Sequence, residues 1–341
     1  MKLSTMIRFG YSALQFKITN KPRPINVMIS VTDRCTGRCR YCGIPSRNSK
    51  EMETSEILRL IDEMAEAGTL RLGIWGGEPL LRNDINEIVL RAKQNNFFVT
   101  MDTNGHLLPQ KPDVIRMLDH VIIGYDGPKE AHEINRGQGT HNLALDAIRV
   151  ACPITRVWTI TVLTKANVGS IDDILETARS EGFLATFQVL HHNDALAGDC
   201  PELVPSNEEL RLAFNKLIKA KKSGAPIASS LNYLNTLYRW PDYARHTTNE
   251  LLSGRQCLAG KLYCNVDTDG KVYPCSLLIN KMPASDANRI GFKAAFETLG
   301  PYDCKSCVAS CFIEYNHLFS LHPSTVLSWA FGIRKGGYAG D

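Results

Sequence analysis

The sequence predicts an α/β fold in which a partial (β/α)6 barrel is followed by a small cysteine-rich α+β extension. Two observations support this fold class. From Ile25 onward, short β-rich runs alternate with amphipathic helical stretches, as in repeated βα units around a parallel sheet. Six of the eleven cysteines then lie between Cys257 and Cys311. The 341 residues are enough for one large barrel with an appendage, or for two domains.

Each predicted strand is rich in β-branched and aromatic residues, and each predicted helix has apolar residues at helical spacing. The six strands are expected at 25–31, 71–75, 97–102, 120–125, 156–163 and 185–190. The helices between them are expected at 55–67, 84–95, 112–118, 141–150 and 170–181.

The chain divides into five predicted segments. They are an N-terminal segment (1–24), the barrel (25–197), a helical connector (198–253) with helices at 207–220 and 231–243, a metal-binding extension (254–316) and a C-terminal tail (317–341).

Composition excludes several classes of protein. The net charge of +4 is too small to indicate a nucleic-acid partner. The chain lacks a signal-peptide pattern and any run of about 18 apolar residues that would span a membrane. Eleven cysteines in a chain of this size therefore predict a reducing, cytoplasmic location with thiols available as metal ligands.

Three cysteines, Cys35, Cys39 and Cys42, follow the first predicted strand. A [4Fe–4S] cluster held only by protein takes four thiolates, so three ligands leave one iron open for an outside ligand. A zinc loop is the alternative, but it needs a fourth Cys or His at matching spacing, and the nearest histidine is His106.

The spacing C-x3-C-x2-C, with Tyr41 before the last cysteine, resembles the signature of the radical S-adenosylmethionine (SAM) superfamily. The resemblance implies a TIM-like partial barrel in which these cysteines hold a [4Fe–4S] cluster and Tyr41 belongs to the cofactor site. It implies that the amine and carboxylate of SAM bind the open iron. A reductant such as flavodoxin or ferredoxin then supplies the electron that releases a 5′-deoxyadenosyl radical.

The second predicted strand ends in Gly76, Gly77, Glu78 and Pro79, which resemble the superfamily's GGEP motif. In parallel barrels the chemistry gathers at this end of the strands. Glycine lets a backbone approach a ligand closely, and the resemblance implies that this backbone and Glu78 receive the amino group of SAM. A simple tight turn is the alternative.

Polar residues follow the next strands as well. Asn104 and Asp126 resemble family positions that line the SAM ribose or the substrate cavity, and the alternative is that they satisfy turn backbone. Thr161, on the fifth predicted strand, is expected inside the barrel within reach of SAM, with a solvated strand residue as the alternative.

The second cysteine group resembles the SPASM or twitch extension of radical SAM enzymes, and residues 263–275 predict a hairpin. The candidate metal ligands are Cys257, Cys264, Cys275, Cys304, Cys307 and Cys311. Six thiols fill one four-ligand cluster, and a second cluster would need other ligands. We therefore expect one auxiliary [4Fe–4S] cluster.

Spacing leaves the ligand set open. The SPASM pattern implies Cys257, Cys264, Cys275 and Cys311, whereas the twitch pattern implies Cys257, Cys275, Cys304 and Cys307. A zinc ribbon of Cys264, Cys275, Cys304 and Cys307 is the structural alternative.

The resemblance implies hydrogen abstraction from a substrate that the sequence does not identify. A peptide or protein side chain, a lipid or isoprenoid, and a small metabolite stay open, with dehydrogenation or C–C or C–S bond formation as outcomes. Ser276 stands where sulfatase-maturing relatives have an aspartate base, which disfavours that activity. A non-catalytic zinc-binding interaction protein is the hypothesis of another class.

The ends of the chain are apolar with interspersed basic residues, in 6–18 and in the tail 317–338. Such stretches lie at membrane interfaces in some proteins and pack on the core in others. A peripheral contact with the inner face of the membrane is therefore one expectation.

Overall fold

The computed structural model describes residues 3–192, 195–300 and 302–321, and its central sheet contains the six predicted strands in chain order. The strands are β1 (Asn26–Ser30), β2 (Arg71–Trp75), β3 (Phe98–Thr103), β4 (His120–Gly124), β5 (Arg156–Leu163) and β6 (Leu184–Val189). Each pairs in parallel with the next. The fold class is thus confirmed as a partial α/β barrel.

Helix α1 (Leu3–Thr19) precedes β1 and packs on the C-terminal extension. The helices that cover the outer face of the sheet are α2 (Thr54–Glu66), α3 (Ile85–Gln94), α4 (Pro112–Met117), α5 (Lys129–Arg136), α6 (Thr140–Ala151) and α7 (Ile171–Glu181). Helix α6 corresponds to the predicted helix at 141–150, whereas α5 was not predicted. Gly137 and Gly139, which have positive φ, separate the two helices. The helix α1 was not predicted.

Alternation along the strands separates the core from the barrel interior. On β3, Val99 and Met101 belong to the main hydrophobic core. Thr100 and Asp102 therefore point to the opposite face, the lumen of the barrel. The same rule places Leu72 of β2 in the core and its neighbour Arg71 in the lumen.

The connector contains α8 (Asn207–Lys222) and α9 (Leu231–Tyr238), close to the predicted helices. Helix α8 starts with a capping box in which Ser206 and Glu209 bond each other's backbone amides. Helix α9 ends before its predicted limit because Pro241 follows.

The extension is built from short elements. They are β7 (Thr247–Thr248), β8 (Tyr263–Val266), β9 (Lys271–Tyr273), β10 (Ser285–Asp286), α10 (Ala287–Ile290), α11 (Phe292–Glu297), β11 (Ser306–Cys307) and α12 (Ser310–Phe319). Strands β8 and β9 form the predicted hairpin, but β8 also pairs in parallel with β1, so the hairpin continues the barrel sheet. The predicted limit at residue 254 therefore does not interrupt the sheet.

Helix α12 lies on the interior side of the sheet. The Arg71 guanidinium of β2 donates a hydrogen bond of 2.8 Å to the Tyr315 hydroxyl. The Ser310 hydroxyl donates one of 3.3 Å to Gln188 of β6. The helix therefore fills part of the lumen. Of the predicted tail, residues 322–341 lie outside the described residues.

Candidate active site

The first cysteine loop (residues 32–43) follows β1 and brings its predicted metal ligands close together. Cys35, Cys39 and Cys42 are each half-buried. A Cβ atom built on Gly37 would lie 3.6 Å from the Cys35 Sγ and 3.7 Å from the Cys39 Sγ, so the two thiols flank one point of the backbone. The Gly37 amide donates a hydrogen bond of 3.3 Å to the Cys35 Sγ.

Burial raises the pKa of all three thiols, and it raises that of Cys42 to about 12. The Arg136 guanidinium opposes this rise at Cys39. Because thiols bind metals as thiolates, loading a metal at neutral pH must displace their protons.

The Gly76–Gly77 pair packs directly on the backbone of the first cysteine loop. The Gly77 amide donates to the Thr32 carbonyl over 2.7 Å, and the Glu78 amide donates to the Arg34 carbonyl over 2.8 Å. A Cβ on Gly76 would lie 2.3 Å from the Thr32 oxygen, and one on Gly77 2.3 Å from the Arg34 oxygen. Gly76 also has a φ of 141°, which side chains disfavour. The close contact with the loop therefore requires glycine at both positions, whether or not a ligand also binds there.

Glu78 is fully buried and its carboxylate holds the end of β3. It accepts hydrogen bonds from the Thr103 hydroxyl (2.8 Å), the Asn104 amide (2.8 Å) and the Leu80 amide (3.1 Å). Burial raises its pKa. Pro79 is buried and begins a short 3-10 turn. The side chain predicted to receive the SAM amine is therefore engaged in positioning the Asn104 loop.

Asn104 connects this arrangement to the cysteines. Its Nδ2 lies 3.5 Å from the Cys35 Sγ and donates a hydrogen bond of 2.9 Å to the Thr36 hydroxyl. The structure thus brings Asn104, Glu78 and the first cysteine loop together.

Asp126 is fully buried, and its carboxylate accepts four hydrogen bonds. Oδ2 accepts from the Tyr41 hydroxyl (2.8 Å) and from Arg136 Nε (2.8 Å). Oδ1 accepts from Arg136 Nη2 (3.2 Å) and from the Val162 amide (3.0 Å). With these donors in place, Asp126 anchors Tyr41 of the first cysteine loop to β5, a role that the sequence did not predict.

Arg136 is the residue of this site that sequence reasoning left without a role. Its guanidinium lies 5.7 Å from the centre of the Tyr41 ring and pairs with Asp126. The sequence marks it only as the residue before Gly137, at the end of α5.

Thr161 is not in the lumen, which corrects the prediction. It shares a face of β5 with Val157 and Leu163, which belong to the core between sheet and helices. Its hydroxyl donates a hydrogen bond of 2.7 Å to the Tyr125 carbonyl, so it does not point toward SAM.

Four cysteines of the second group line one small pocket, here named the extension cavity. They are Cys257, Cys275, Cys304 and Cys307. Burial is the largest cause that raises the pKa of Cys304 to about 11. It also raises the pKa values of Cys275 and Cys307, to a greater extent. The neighbouring Cys257 thiol contributes to all three rises, which reflects their proximity.

Two tyrosines reach the same thiol. The Tyr263 hydroxyl lies 3.3 Å from the Cys257 Sγ, and the Tyr302 hydroxyl lies 3.7 Å from it. The Tyr263 hydroxyl also bonds the Asn316 side chain at 3.0 Å, and that of Tyr302 bonds the Ala259 carbonyl at 2.5 Å. Each hydroxyl donates its one proton to these oxygens, so a thiolate at Cys257 would compete with Asn316 and Ala259 for it.

The other two predicted ligands, Cys264 and Cys311, do not line the extension cavity. Cys264 lies in the main core beside the β1 residue Val27, and burial raises its pKa. Cys311, in the first turn of α12, is accessible to solvent but lies at the lumen near Asp102 and Arg71. Loss of solvation there raises the pKa of its thiol to about 12, the Asp102 charge adds to the rise, and the Arg71 charge opposes it. The SPASM set and the zinc-ribbon set of four are therefore not brought together, whereas the twitch set is.

Asp102 places a carboxyl group in the lumen near Cys311. Burial raises the pKa of its carboxyl to about 6, against the opposing charge of Arg71. Its Oδ1 is buried without a hydrogen-bond partner in the described ranges. The lumen therefore holds an acceptor that is free for a bound molecule.

A family profile described as the Radical SAM superfamily matches residues 29–178. This range contains the first cysteine loop, Gly76–Pro79, Asn104 and Asp126.

Among curated proteins, the PqqA peptide cyclase of Granulibacter bethesdensis is 27% identical over 270 residues, which cover 74% of this chain and 67% of that protein. The AdoMet-dependent heme synthase of Methanosarcina barkeri is 28% identical over 280 residues, covering 76% and 78%.

Among solved structures, Streptococcus suis SuiB bound to the precursor peptide SuiA is similar with a TM-score of 0.65 at 15% identity, covering 81% of this chain and 65% of SuiB. At this identity the likeness concerns the fold alone. The chain spans about two thirds of the length of SuiB and of the PqqA peptide cyclase.

Proposed function

Because residues 29–178 match the Radical SAM superfamily, we propose that the first cysteine loop binds a [4Fe–4S] cluster and SAM, and that the radical formed there modifies a peptide side chain. The observation that carries this proposal is the position of Cys35, Cys39 and Cys42 in one loop after β1. The thiols of Cys35 and Cys39 flank Gly37 and add to the rise that burial causes in the pKa of Cys42, and Asn104 lies beside Cys35. The cluster, when bound, supplies the electron that cleaves SAM into methionine and a 5′-deoxyadenosyl radical.

The residues around the loop position it. The Gly76–Gly77 backbone holds residues 32–34, Glu78 holds the Asn104 loop, and the Asp126–Arg136 pair holds Tyr41. Three thiolates leave one iron open, which is where the amine and carboxylate of SAM would bind.

We assign one auxiliary [4Fe–4S] cluster to Cys257, Cys275, Cys304 and Cys307. Their common cavity supports this set. Four thiols are the number that a [4Fe–4S] cluster takes and also the number in a four-thiolate zinc site, so metal analysis separates the two. Among residues 3–192, 195–300 and 302–321, no group of three or more His, Cys, Asp or Glu side chains is arranged to hold a metal ion.

A peptide substrate is supported by the similarity to the PqqA peptide cyclase. The buried acceptor of Asp102 in the lumen suits a substrate that offers an N–H or O–H donor. The similarity to a heme synthase supports the second candidate, a small-molecule substrate.

The experiment uses anaerobically reconstituted protein with SAM and dithionite. We expect release of 5′-deoxyadenosine and methionine, and about eight irons per chain for two four-iron clusters. The variant with Cys35→Ala, Cys39→Ala and Cys42→Ala should lose SAM cleavage and keep about four irons. Cleavage that persists in this variant, or zinc in place of iron, contradicts the proposal.

The substrate class needs its own measurement. Linear peptides and tetrapyrroles are offered to the same reconstituted protein, and the mass of each is followed after SAM cleavage. A mass change in a peptide supports the proposal, whereas a change confined to the tetrapyrrole establishes the second candidate.

A further inference from the structure

Helix α1 is held on the extension by one face. Phe9 stacks on Phe319 of α12 with ring centres 6.3 Å apart, and the Lys17 ammonium donates a hydrogen bond of 2.7 Å to the Ser320 carbonyl. Ala13 and Phe16 of the same face are buried. Packing therefore determines the position of the helix and which of its faces points away from the extension.

The opposite face of α1 is apolar and exposed. Its residues Ile7, Tyr11, Leu14 and Ile18, here named the α1 stripe, are spaced by four, three and four residues, so they form one line along the helix. Their exposed fractions are 63%, 64%, 49% and 76%. Large apolar side chains aligned in this way mark an interaction surface more clearly than scattered ones do.

Charge identifies the kind of surface that the stripe fits. Arg8 and Lys17 flank it on its two sides, and the exposed Lys21 follows the helix. No aspartate or glutamate occurs before Asp33 in the sequence. An apolar stripe bordered by cations and without carboxylates is complementary to anionic lipid, whose phosphates meet the cations and whose acyl boundary meets the stripe.

We propose that α1 docks this protein on the surface of an anionic phospholipid bilayer. Ile7, Tyr11, Leu14 and Ile18 enter the boundary between headgroups and acyl chains, and Arg8 and Lys21 lie at the phosphates, while Lys17 stays bonded to the Ser320 carbonyl. Among the residues that the structure describes, no helix is both long and apolar enough to cross a bilayer, so α1 lies along the surface. The docking is independent of the radical chemistry.

The test is cosedimentation of the full chain with vesicles of phosphatidylcholine containing phosphatidylglycerol, and with vesicles of phosphatidylcholine alone. We expect binding to the anionic vesicles that weakens as salt is raised. Leu14→Ser with Ile18→Ser should weaken binding about tenfold or more, because two buried aliphatic side chains are lost. Arg8→Ala with Lys21→Ala should weaken it less and reduce its salt dependence.

Leu212→Ser is the matched control, since Leu212 is 62% exposed on α8 and belongs to no such stripe. Release of 5′-deoxyadenosine from SAM reports separately on folding and on the proposed chemistry. Vesicle binding that is absent, or that Leu14→Ser with Ile18→Ser leaves unchanged, overturns the proposal. So does a change from dimer to monomer in that variant without vesicle binding, which would place a second copy of the chain on the stripe.

Discussion

The two cysteine groups differ in how the chain brings their thiols together. Cys35, Cys39 and Cys42 lie within eight residues of one loop, so their proximity is local. The extension cavity instead combines cysteines from both sides of the β8–β9 hairpin with two from the segment before α12. The first group depends on a short spacing, whereas the second exists only after distant segments have packed.

They also differ in what they leave open. The first group offers three half-buried thiols, one fewer than a [4Fe–4S] cluster takes. The second offers four thiols around one pocket, with tyrosine hydroxyls beside Cys257. Three thiols fit a cluster with one iron open for a ligand, as proposed for SAM, whereas four fit a cluster that the protein completes by itself.

The largest expected effect comes from Gly77→Ala. Its added Cβ would meet the Arg34 carbonyl at 2.3 Å, so the first cysteine loop must move. We expect SAM cleavage to fall by about 100-fold or more, because small displacements of reacting groups have effects of this size. The extension cavity should keep its irons, as measured by iron analysis and electron paramagnetic resonance.

Gly169→Ala is the control for that change, since Gly169 has open space around its Cβ position and no positive φ. It should cleave SAM at the rate of the unmodified chain. Equal rates for the two variants would mean that the loop does not depend on the glycine contact.

The second-largest expected effect is the loss of iron when a cysteine that binds the auxiliary cluster is replaced. Cys275→Ser should remove the auxiliary cluster and reduce iron to about four per chain. Cys264→Ala and Cys311→Ala should retain about eight, because neither thiol lines the extension cavity. Loss of iron in Cys264→Ala at unchanged folding, followed by circular dichroism, would restore the SPASM set.

A smaller effect is expected from Asp126→Asn, which leaves the buried Arg136 without its carboxylate. Breaking a buried ion pair costs about 3–5 kcal/mol of unfolding free energy, and SAM cleavage should fall about tenfold as Tyr41 loosens. Chemical denaturation and 5′-deoxyadenosine release measure the two effects.

Glu202→Gln provides the comparison, because it breaks the exposed Arg40–Glu202 pair of the same loop. Its effect on unfolding should stay within about 1 kcal/mol. An equal loss in both variants would show that Asp126 has no special part in holding Tyr41.

The smallest effect concerns the potential of the auxiliary cluster. Tyr263→Phe removes the hydroxyl 3.3 Å from the Cys257 Sγ, and hydrogen bonds to cluster sulfurs favour the reduced state. We expect the midpoint potential of this cluster to fall by some tens of millivolts, on the order of one lost hydrogen bond, with that of the first cluster unchanged.

A redox titration followed by electron paramagnetic resonance measures that shift. Tyr273→Phe is the control, since Tyr273 lies on the same hairpin but its hydroxyl faces Asn280. A shift of both clusters in Tyr263→Phe would point to a general change in folding.

Individual residues show which features the sequence predicts and which it does not. The six parallel strands and the hairpin were predicted because alternation and turn residues are local signals. Thr161 was predicted to face the lumen, but it faces the core. Side chains along a strand alternate between the two faces of the sheet, so an error of one residue reverses the predicted face. Asp126 was assigned to a ligand because its partners, Tyr41 and Arg136, are distant in the chain.

The sequence by itself determined the barrel, the three-thiol loop and the glycines that follow β2, since each depends on neighbours a few residues apart. Only the tertiary structure decided which four of the six later cysteines share a cavity, because that depends on which face of β8 and of α12 each thiol occupies. It also decided that Gly76 and Gly77 serve the cysteine loop itself, because a contact between two backbones leaves no trace in spacing.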